Sequence, residues 1–162
     1  MGKPWLTVQS LAAIPLKAPF AAGYSIAKAV TPIEQKTKGV FTRGDVLRVT
    51  LDIDASADMT WVVVADPVPA GATILGAGLA RDATSAQQGE RKTGQAWPAY
   101  EERSFEAFRA YYEYAPKGKW SLQYTLRLNQ DGDFSLPPSR VEAMYAPEMF
   151  GVAPNASMKV LP

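Results

Sequence analysis

Apolar and polar side chains alternate without a break between residues 120 and 129. The apolar positions of this run are Trp120, Leu122, Tyr124, Leu126 and Leu128. A second run, residues 47–53, has the same pattern. Because successive side chains of a strand point to opposite faces, both runs predict half-buried β-strands. Two such strands predict an antiparallel sheet with one face in water.

Further strands are predicted at residues 5–8 and 24–30, where several prolines limit their length because proline has no N–H to donate. Residues 59–65 are apolar at nearly every position, which is typical of a central strand covered on both faces. The Asp-Pro-Val-Pro-Ala-Gly segment at 66–71 then predicts a turn.

The second half of the chain is more ambiguous. Residues 76–97 have no period and predict a long surface loop, with one helical turn at 81–87. Residues 104–114 fit both a helix and a strand, but the tyrosines and the Ala-Pro-Lys-Gly turn at 115–118 favour a hairpin with the strand that follows. Residues 130–133 predict the turn of the next hairpin.

Near the carboxyl end, residues 141–145 and 158–161 predict strands, and residues 147–154 predict a loop between them. Together the patterns predict an all-β fold, an antiparallel β-sandwich with at most one short helix. A chain of 162 residues suffices for one domain that buries about 70% of its unfolded surface.

Composition excludes several kinds of chemistry. The chain has no cysteine and no histidine, so disulfides, thiolate nucleophiles, serine-histidine triads and histidine-ligated zinc are impossible within it. No catalytic, cofactor-binding or metal-binding residue is predicted, and the chain is expected not to be an enzyme. With 17 basic and 16 acidic residues, it has no excess charge to attract nucleic acid.

The chain contains no stretch of about 20 apolar residues, so no direct insertion into a membrane is predicted. The amino terminus lacks the charged and apolar regions of a signal peptide. That pattern fits a cytosolic protein or a piece of a larger secreted chain.

Two motifs suggest alternative functions. Arg43, Gly44 and Asp45 form the tripeptide that integrin ligands present, although glycine and aspartate are also ordinary turn residues. This tripeptide would be the contact of a free-standing immunoglobulin-like adhesion module. Glu101 and Glu102 are adjacent carboxylates, but neighbours in a strand face opposite ways and cannot form a glycosidase pair.

Clustered aromatic residues offer a third alternative, a platform that stacks sugar rings or bases. The residues concerned are Tyr111, Tyr112, Tyr114, Trp120 and Tyr124. The bulk of such side chains also suits the core of a sandwich. A carbohydrate-binding β-sandwich therefore stays open beside the core interpretation.

Several segments together resemble the carboxy-terminal macroglobulin-like domain of bacterial alpha-2-macroglobulins. The most specific parts are the Asp-Pro-Val-Pro-Ala-Gly turn at 66–71 and the block at 137–151, which reads Pro-Pro-Ser-Arg-Val-Glu-Ala-Met-Tyr-Ala-Pro-Glu-Met-Phe-Gly. Residues 43–49, 114–118 and 132–136 add to the resemblance.

The resemblance implies a macroglobulin-like β-sandwich over residues 20–162. It implies that residues 1–19 are the closing strand of a preceding CUB-like domain or an edge strand. The parent would be a periplasmic protease inhibitor, anchored to the inner membrane by a lipidated amino terminus. Its modules rearrange around a protease that cleaves a bait region. The expected partners are the other modules of the parent, trapped proteases and other periplasmic proteins.

Many members of that family trap proteases through a Cys-x-Glu-Gln thioester in an upstream domain, which this cysteine-free chain cannot contain. In those members an aromatic residue of the last domain shields the thioester, and Tyr112 and Tyr114 are the candidates here. The start of the chain is closer to members that lack the thioester. Met149 and Phe150, on the predicted loop, are further candidates for a contact with other modules, and the alternative is that both tuck under the sheet.

Overall fold

The computed structural model describes residues 5–12, 15–76 and 89–162. These residues form strands and no helix, which confirms the all-β prediction. The strands are β1 (Phe20–Ala22), β2 (Tyr24–Glu34), β3 (Phe41–Thr42), β4 (Val46–Ala55), β5 (Met59–Pro67), β6 (Thr73–Ile74), β7 (Lys92–Thr93), β8 (Tyr100–Arg103), β9 (Ala107–Ala115), β10 (Gly118–Arg127), β11 (Gly132–Phe134), β12 (Ser139–Ala143), β13 (Ala146–Ala153) and β14 (Met158–Leu161).

Two antiparallel sheets make up the sandwich. Sheet A has six strands in the order β1-β13-β12-β5-β9-β8. Sheet B has the order β2-β4-β10-β6, and β7 also pairs with β10. A small third sheet, β11-β14-β3, includes the parallel pair β14 and β3.

The two alternating runs of the sequence are neighbours in sheet B. Strands β4 and β10 pair antiparallel, so that Leu51 lies opposite Leu122 and Val49 opposite Tyr124. These four side chains are buried and face sheet A across the core. Burying an aliphatic side chain of this size contributes about 1.5–3 kcal/mol relative to leaving it exposed. The predicted half-buried strands are confirmed.

The predicted hairpins around residues 115–118 and 130–133 are wrong. Strand β9 belongs to sheet A and β10 to sheet B, so residues 115–118 carry the chain across the sandwich. The crossing is held by the Lys117 N–H, which donates to the Asp58 carboxylate at 2.7 Å. After β10 the chain enters the third sheet instead of returning along its neighbour. Turn residues signal a reversal of the chain, but they do not specify which strand becomes the partner.

Two other assignments change. Residues 147–154 were predicted as a loop, but β13 occupies Ala146–Ala153 and pairs with both β1 and β12. Residues 5–8 lie in no strand of this chain, and their side chains are exposed. Strand β14 confirms the predicted last strand. The predicted helical turn at 81–87 lies outside the described residues.

A buried carboxylate joins the two sheets. Asp66 at the end of β5 is fully buried, and it accepts hydrogen bonds from Lys28 Nζ at 2.8 Å and from the Tyr124 hydroxyl at 2.5 Å. Ser139 Oγ donates to the same carboxylate. Asp66 and Ser139 belong to sheet A, whereas Lys28 and Tyr124 belong to sheet B.

Burial raises the pKa of Tyr124 well above its usual value, and the charge of Asp66 and the hydrogen bond to it raise it further. Tyr124 therefore stays protonated and keeps donating to Asp66. The cluster matches the two sheets to each other because the buried carboxylate needs hydrogen-bond donors and receives them from both sheets.

Replacing Asp66 by Asn should lower the free energy of unfolding by about 3–5 kcal/mol, because the Lys28 ammonium is then left in the core without its counter-ion. Adding Lys28→Met to Asp66→Asn should recover part of that loss, since neither charge remains while the acceptor for Tyr124 persists. Urea unfolding of both variants measures the difference. Equal stability of the single and double variants would show that the two side chains are not coupled.

Candidate interaction surface

The structure separates the four residues predicted to contact other modules. Tyr112 is 1% exposed, and its ring packs in the core against Trp120 at a centroid distance of 5.8 Å. This corrects its assignment, because a buried ring cannot lie on a contact surface. Tyr114, two residues further along β9, is exposed.

Met149 and Phe150 lie in strand β13 instead of on a loop, and both are partly buried. Met149 packs on the core beside Gly23. Phe150 lies 5.5 Å from the ring of Phe20, and the Arg140 guanidinium lies 4.8 Å above its ring. As neighbours on a strand the two residues use opposite faces, and only Phe150 remains a candidate for an outward contact.

A cluster that the sequence pattern did not single out lies at one end of sheet A. Trp61 and Met144 are half exposed, and Tyr145 is 80% exposed. The rings of Trp61 and Tyr145 meet edge to face, with centroids 6.5 Å apart. The Met144 N–H donates to the Trp61 carbonyl at 2.7 Å, which joins the β12–β13 turn to β5. We call these three residues the end patch.

Trp61 has a backbone φ of +54°. This left-handed conformation is unfavourable for a bulky residue and costs on the order of 1–3 kcal/mol. The ladder between β5 and β9 pairs Thr60 and Val62 but passes over Trp61. Strained residues concentrate at functional sites, and large exposed aromatic side chains are the residue types that dominate protein interfaces. Tyr114 lies at the same end of the sheet, opposite Thr60.

The sequence held one signal for Trp61. It stands inside an otherwise aliphatic run, where its bulk would be hard to place in a core already filled by Val62 and Val64. The conformation of its backbone, however, depends on the neighbouring strands and cannot be read from the residue itself.

The Arg43-Gly44-Asp45 tripeptide is part of a tight turn that hides its carboxylate. Asp45 is 2% exposed, and it accepts hydrogen bonds from the Thr42 N–H at 2.8 Å, the Thr42 hydroxyl at 2.9 Å and the Lys36 N–H at 3.0 Å. Gly44 has a φ of +100°, a conformation that favours glycine. The adhesion alternative therefore lacks its acidic contact group.

Burial by itself raises the pKa of Asp45. The hydrogen bonds from Thr42 and Lys36, together with the charge of Lys36, outweigh burial and hold this pKa below its usual value. The ionised form of Asp45 is thus the one that the folded turn stabilises.

The carboxylates of Glu101 and Glu102 bind different partners. Glu101 pairs with Arg103 at 3.0 Å and with Lys92 at 2.6 Å, whereas Glu102 pairs with Arg109 at 2.9 Å. The two groups do not converge on a common space, so they do not form a hydrolytic pair. Among residues 5–12, 15–76 and 89–162, no group of three acidic side chains could hold a metal ion.

The proposed stacking platform is also divided. Tyr112, Trp120 and Tyr124 are core residues, which confirms the core interpretation for three of its five members.

In the described part of the chain, no helix is long and apolar enough to cross a membrane.

A groove of about 430 Å³ opens beside residues 153–159 and has mainly apolar walls, among them Val30, Phe41 and Leu126. Its polar residues include Lys28 and Asn155, and both are hydrogen-bonded within the protein. Its other polar side chains, Ser157 and Lys159, stand with Asn155 along one segment of the lining. Of the described surfaces, the end patch has the properties of an interaction site.

Replacing Asp45 by Ala should lower the free energy of unfolding at pH 7 by about 2 kcal/mol, because three hydrogen bonds to a carboxylate are lost. The pKa of Asp45 is lowered in the folded state, so its contribution is present above the unfolded pKa of about 3.9 and disappears as the pH falls further. The stability difference between the two proteins should therefore shrink below about pH 4.

Urea unfolding at several pH values tests this prediction. Asp131→Ala is the control, since Asp131 is exposed and lies 3.8 Å from Arg43. That control should change stability by less than about 0.5 kcal/mol. A pH-independent loss in Asp45→Ala would contradict the assignment.

Comparison with known proteins agrees with this architecture. A family model described as the bacterial alpha-2-macroglobulin MG10 domain matches residues 23–148. An alpha-2-macroglobulin homolog from Nostoc sp. (strain PCC 7120) is 30% identical over 118 residues, which are 73% of this chain and 6% of that protein.

Solved structures show the same fold. The native conformation of Escherichia coli alpha-2-macroglobulin matches with a TM-score of 0.70 and 22% identity over 93% of this chain and 10% of that chain. The trypsin-activated protein from Escherichia coli matches with a TM-score of 0.69 and 23% identity over 90% of this chain and 11% of that chain. A Salmonella alpha-2-macroglobulin reacted with methylamine matches with a TM-score of 0.68 and 23% identity, over 89% of this chain and 10% of that chain.

The chain thus spans about a tenth or less of the length of these relatives. The family match covers the Asp66 cluster and the end patch, and its bounds leave out β1, most of β13 and β14. The chain belongs to the bacterial alpha-2-macroglobulin MG10 domain family.

Proposed function

We propose that this chain is the carboxy-terminal, non-catalytic module of a periplasmic alpha-2-macroglobulin-like protease inhibitor. The parent would be held at the inner membrane by a lipidated amino terminus. Cleavage of its bait region by a protease would change the contacts that this module makes with the others. The exposed aromatic end patch on a strained backbone is the observation that carries the proposal.

The end patch supports a contact role because its exposure is costly. An indole and a phenol ring that meet in water expose apolar surface that a neighbouring module would bury. The strained φ of Trp61 keeps this exposed conformation in place of one that continues the β5–β9 ladder. A contact surface that is held in a fixed shape loses little conformational entropy on binding.

Solved structures of a relative support the proposed change of conformation after protease cleavage. The Escherichia coli protein has been solved in a native conformation and in a trypsin-activated form, and this chain has the fold of one module in both. We propose that the parent of this chain likewise has a native and a protease-activated conformation. The target proteases would be those that enter the periplasm.

Residues 1–19 fit the proposal as the closing strand of a preceding CUB-like domain. Trp5, Leu6, Val8 and Leu11 are exposed and lie outside the strands of this module. That much exposed apolar surface in the described residues is suited to packing against the sheet of another module.

The proposal includes a role for the exposed aromatic residues in either subtype of parent. In a parent with a thioester, Tyr114 and the end patch would cover the thioester from one end of sheet A. In a parent of the subtype without a thioester, the same residues would contact another module or another periplasmic protein. Either role needs surface contact and no proton transfer.

Replacing Trp61 by Gly should test the contact role, because glycine relieves the left-handed strain while the indole is removed. Strain relief and lost packing oppose each other, so the free energy of unfolding of this chain should change by less than about 1 kcal/mol. In the parent protein, the variant should convert to the activated form without protease at least tenfold faster than the unaltered protein. Native gel mobility with and without trypsin measures the conversion.

The matched control is Trp97→Gly, because Trp97 is also exposed, at 64% against 49% for Trp61, but lies outside the end patch. That control should leave the conversion rate unchanged. An unchanged rate and unchanged protease retention in Trp61→Gly would reject the end patch as the contact. A large loss of stability in the isolated chain would assign Trp61 to the fold.

A further inference from the structure

Strand β5 has one covered face and one uncovered face. Val62 and Val64 point inward and are fully buried, whereas Val63 and Ala65 point away from sheet B and remain partly exposed. The sequence predicts a central strand covered on both sides, but in this chain sheet B covers only one. Among the strands that the structure describes, none covers the outer face of sheet A, the side that points away from sheet B.

We propose that the outer face of sheet A packs against a second module of the same parent polypeptide, one that presents an apolar surface with little net charge. The proposal rests on the proposed function in one respect, that this chain is a module of a longer protein. It goes further because it assigns a surface that is much larger than the end patch.

Side-chain types along the outer face favour a protein partner. Strand register aligns one row across all six strands, namely Ala22, Phe150, Glu142, Val63, Tyr111 and Tyr100. Aromatic rings occupy both halves of this row, with Tyr100 and Tyr111 at a centroid distance of 5.9 Å. Aromatic residues and arginine are enriched at protein interfaces.

The charges of the outer face are already paired with one another. Arg140 Nε lies 2.6 Å from the Glu142 carboxylate. Arg109 lies 2.9 Å from both Glu102 and Glu106. Because these cations hold carboxylates on their own face, a partner need not supply counter-charges. This arrangement favours a nearly neutral apolar surface over an anionic glycan or nucleic acid.

The size of the face favours a tethered module over a second copy of the chain. Six strands about 4.8 Å apart span about 24 Å, and the four-residue step from Trp61 to Ala65 adds about 13 Å along the strands. Each partner would bury on the order of 300–450 Å², so the total is within the range of about 600–1,500 Å² for interfaces between domains of one chain. It is below the roughly 1,200–2,000 Å² of stable complexes between separate proteins.

Linkage in one polypeptide compensates for this small area. Covalent attachment replaces a bimolecular encounter by an effective concentration that reaches the millimolar range for short linkers. A face of this size can therefore stay covered in the parent while the isolated chain remains monomeric.

Thiol labelling tests the proposal directly, because the chain has no cysteine of its own. Ala65→Cys places one thiol on the outer face, and Ala29→Cys places a matched thiol on the exposed side of sheet B. Site-resolved mass spectrometry of labelling compares each variant in this chain and in the intact parent. The Ala65→Cys thiol should react at least tenfold more slowly in the parent, while the Ala29→Cys thiol should react at the same rate in both. Should Ala65→Cys fail to fold, Val63→Cys serves the same purpose.

Three results would overturn the proposal. Equal labelling of the Ala65→Cys thiol in this chain and in the parent would show that no module covers the face. Protection that rises with the concentration of this chain alone would identify a second copy as the occupant. Protection of the isolated chain by added glycans, with none in the parent, would identify a carbohydrate.

The two proposals fail separately. If the Ala65→Cys thiol is protected but Trp61→Gly leaves protease activation unchanged, the proposal that a module covers the outer face is supported and the contact role of the end patch is rejected. If Trp61→Gly changes activation but the Ala65→Cys thiol is unprotected in the parent, only the proposal that a module covers the outer face is rejected.

Discussion

The buried carboxylate of Asp66 is the constraint on which the arrangement of the two sheets depends. Apolar inner faces would pack in many relative positions, because dispersion and hydrophobic burial are not directional. A charged group in that core allows few relative positions of the two sheets, since it must meet Lys28, Tyr124 and Ser139 at hydrogen-bond distance. The cluster therefore determines which side chains of β5 point inward, and with them which ones are left outside.

That orientation explains the distribution of chemistry over the molecule. Polar groups in the interior serve the fold, as the Asp66 cluster and the Asp45 turn show. Acidic groups at the edge of sheet A are held by arginine and lysine. The surfaces that remain combine aromatic and aliphatic side chains with charges that are already paired, which suits contact with other proteins.

Family membership gives these surfaces a context. The chain spans about a tenth of the length of the Escherichia coli relative. On the proposed function, other modules adjoin it, and the strained, exposed Trp61 is a position where one of them would gain by packing. The end patch and the outer face of sheet A adjoin along β5. On the proposed function, they would form one continuous zone of contact between modules, with the aromatic residues concentrated where the sheet ends.

Sequence alone determined the strands and the faces of the two alternating runs, because a period of two has one structural solution and the buried side must be apolar. It also excluded histidine and cysteine chemistry, since no fold can supply absent side chains. The motif block at 137–151 indicates the family by its residue identities alone. Glycine and aspartate at 44 and 45 are ordinary turn residues, and the structure shows them in that role, with the Asp45 carboxylate accepting from the turn.

Only the tertiary structure decided which strands became neighbours. The turns at 115–118 and 130–133 looked like hairpins, but the chain crosses between sheets there, because pairing depends on the burial of faces that are distant in sequence. Burial of Tyr112, the opposite directions of Met149 and Phe150, and the left-handed Trp61 follow from those pairings. The local pattern specifies that successive side chains point to opposite faces of a strand. Only the packed sheets decide whether each face meets the core, another strand or water.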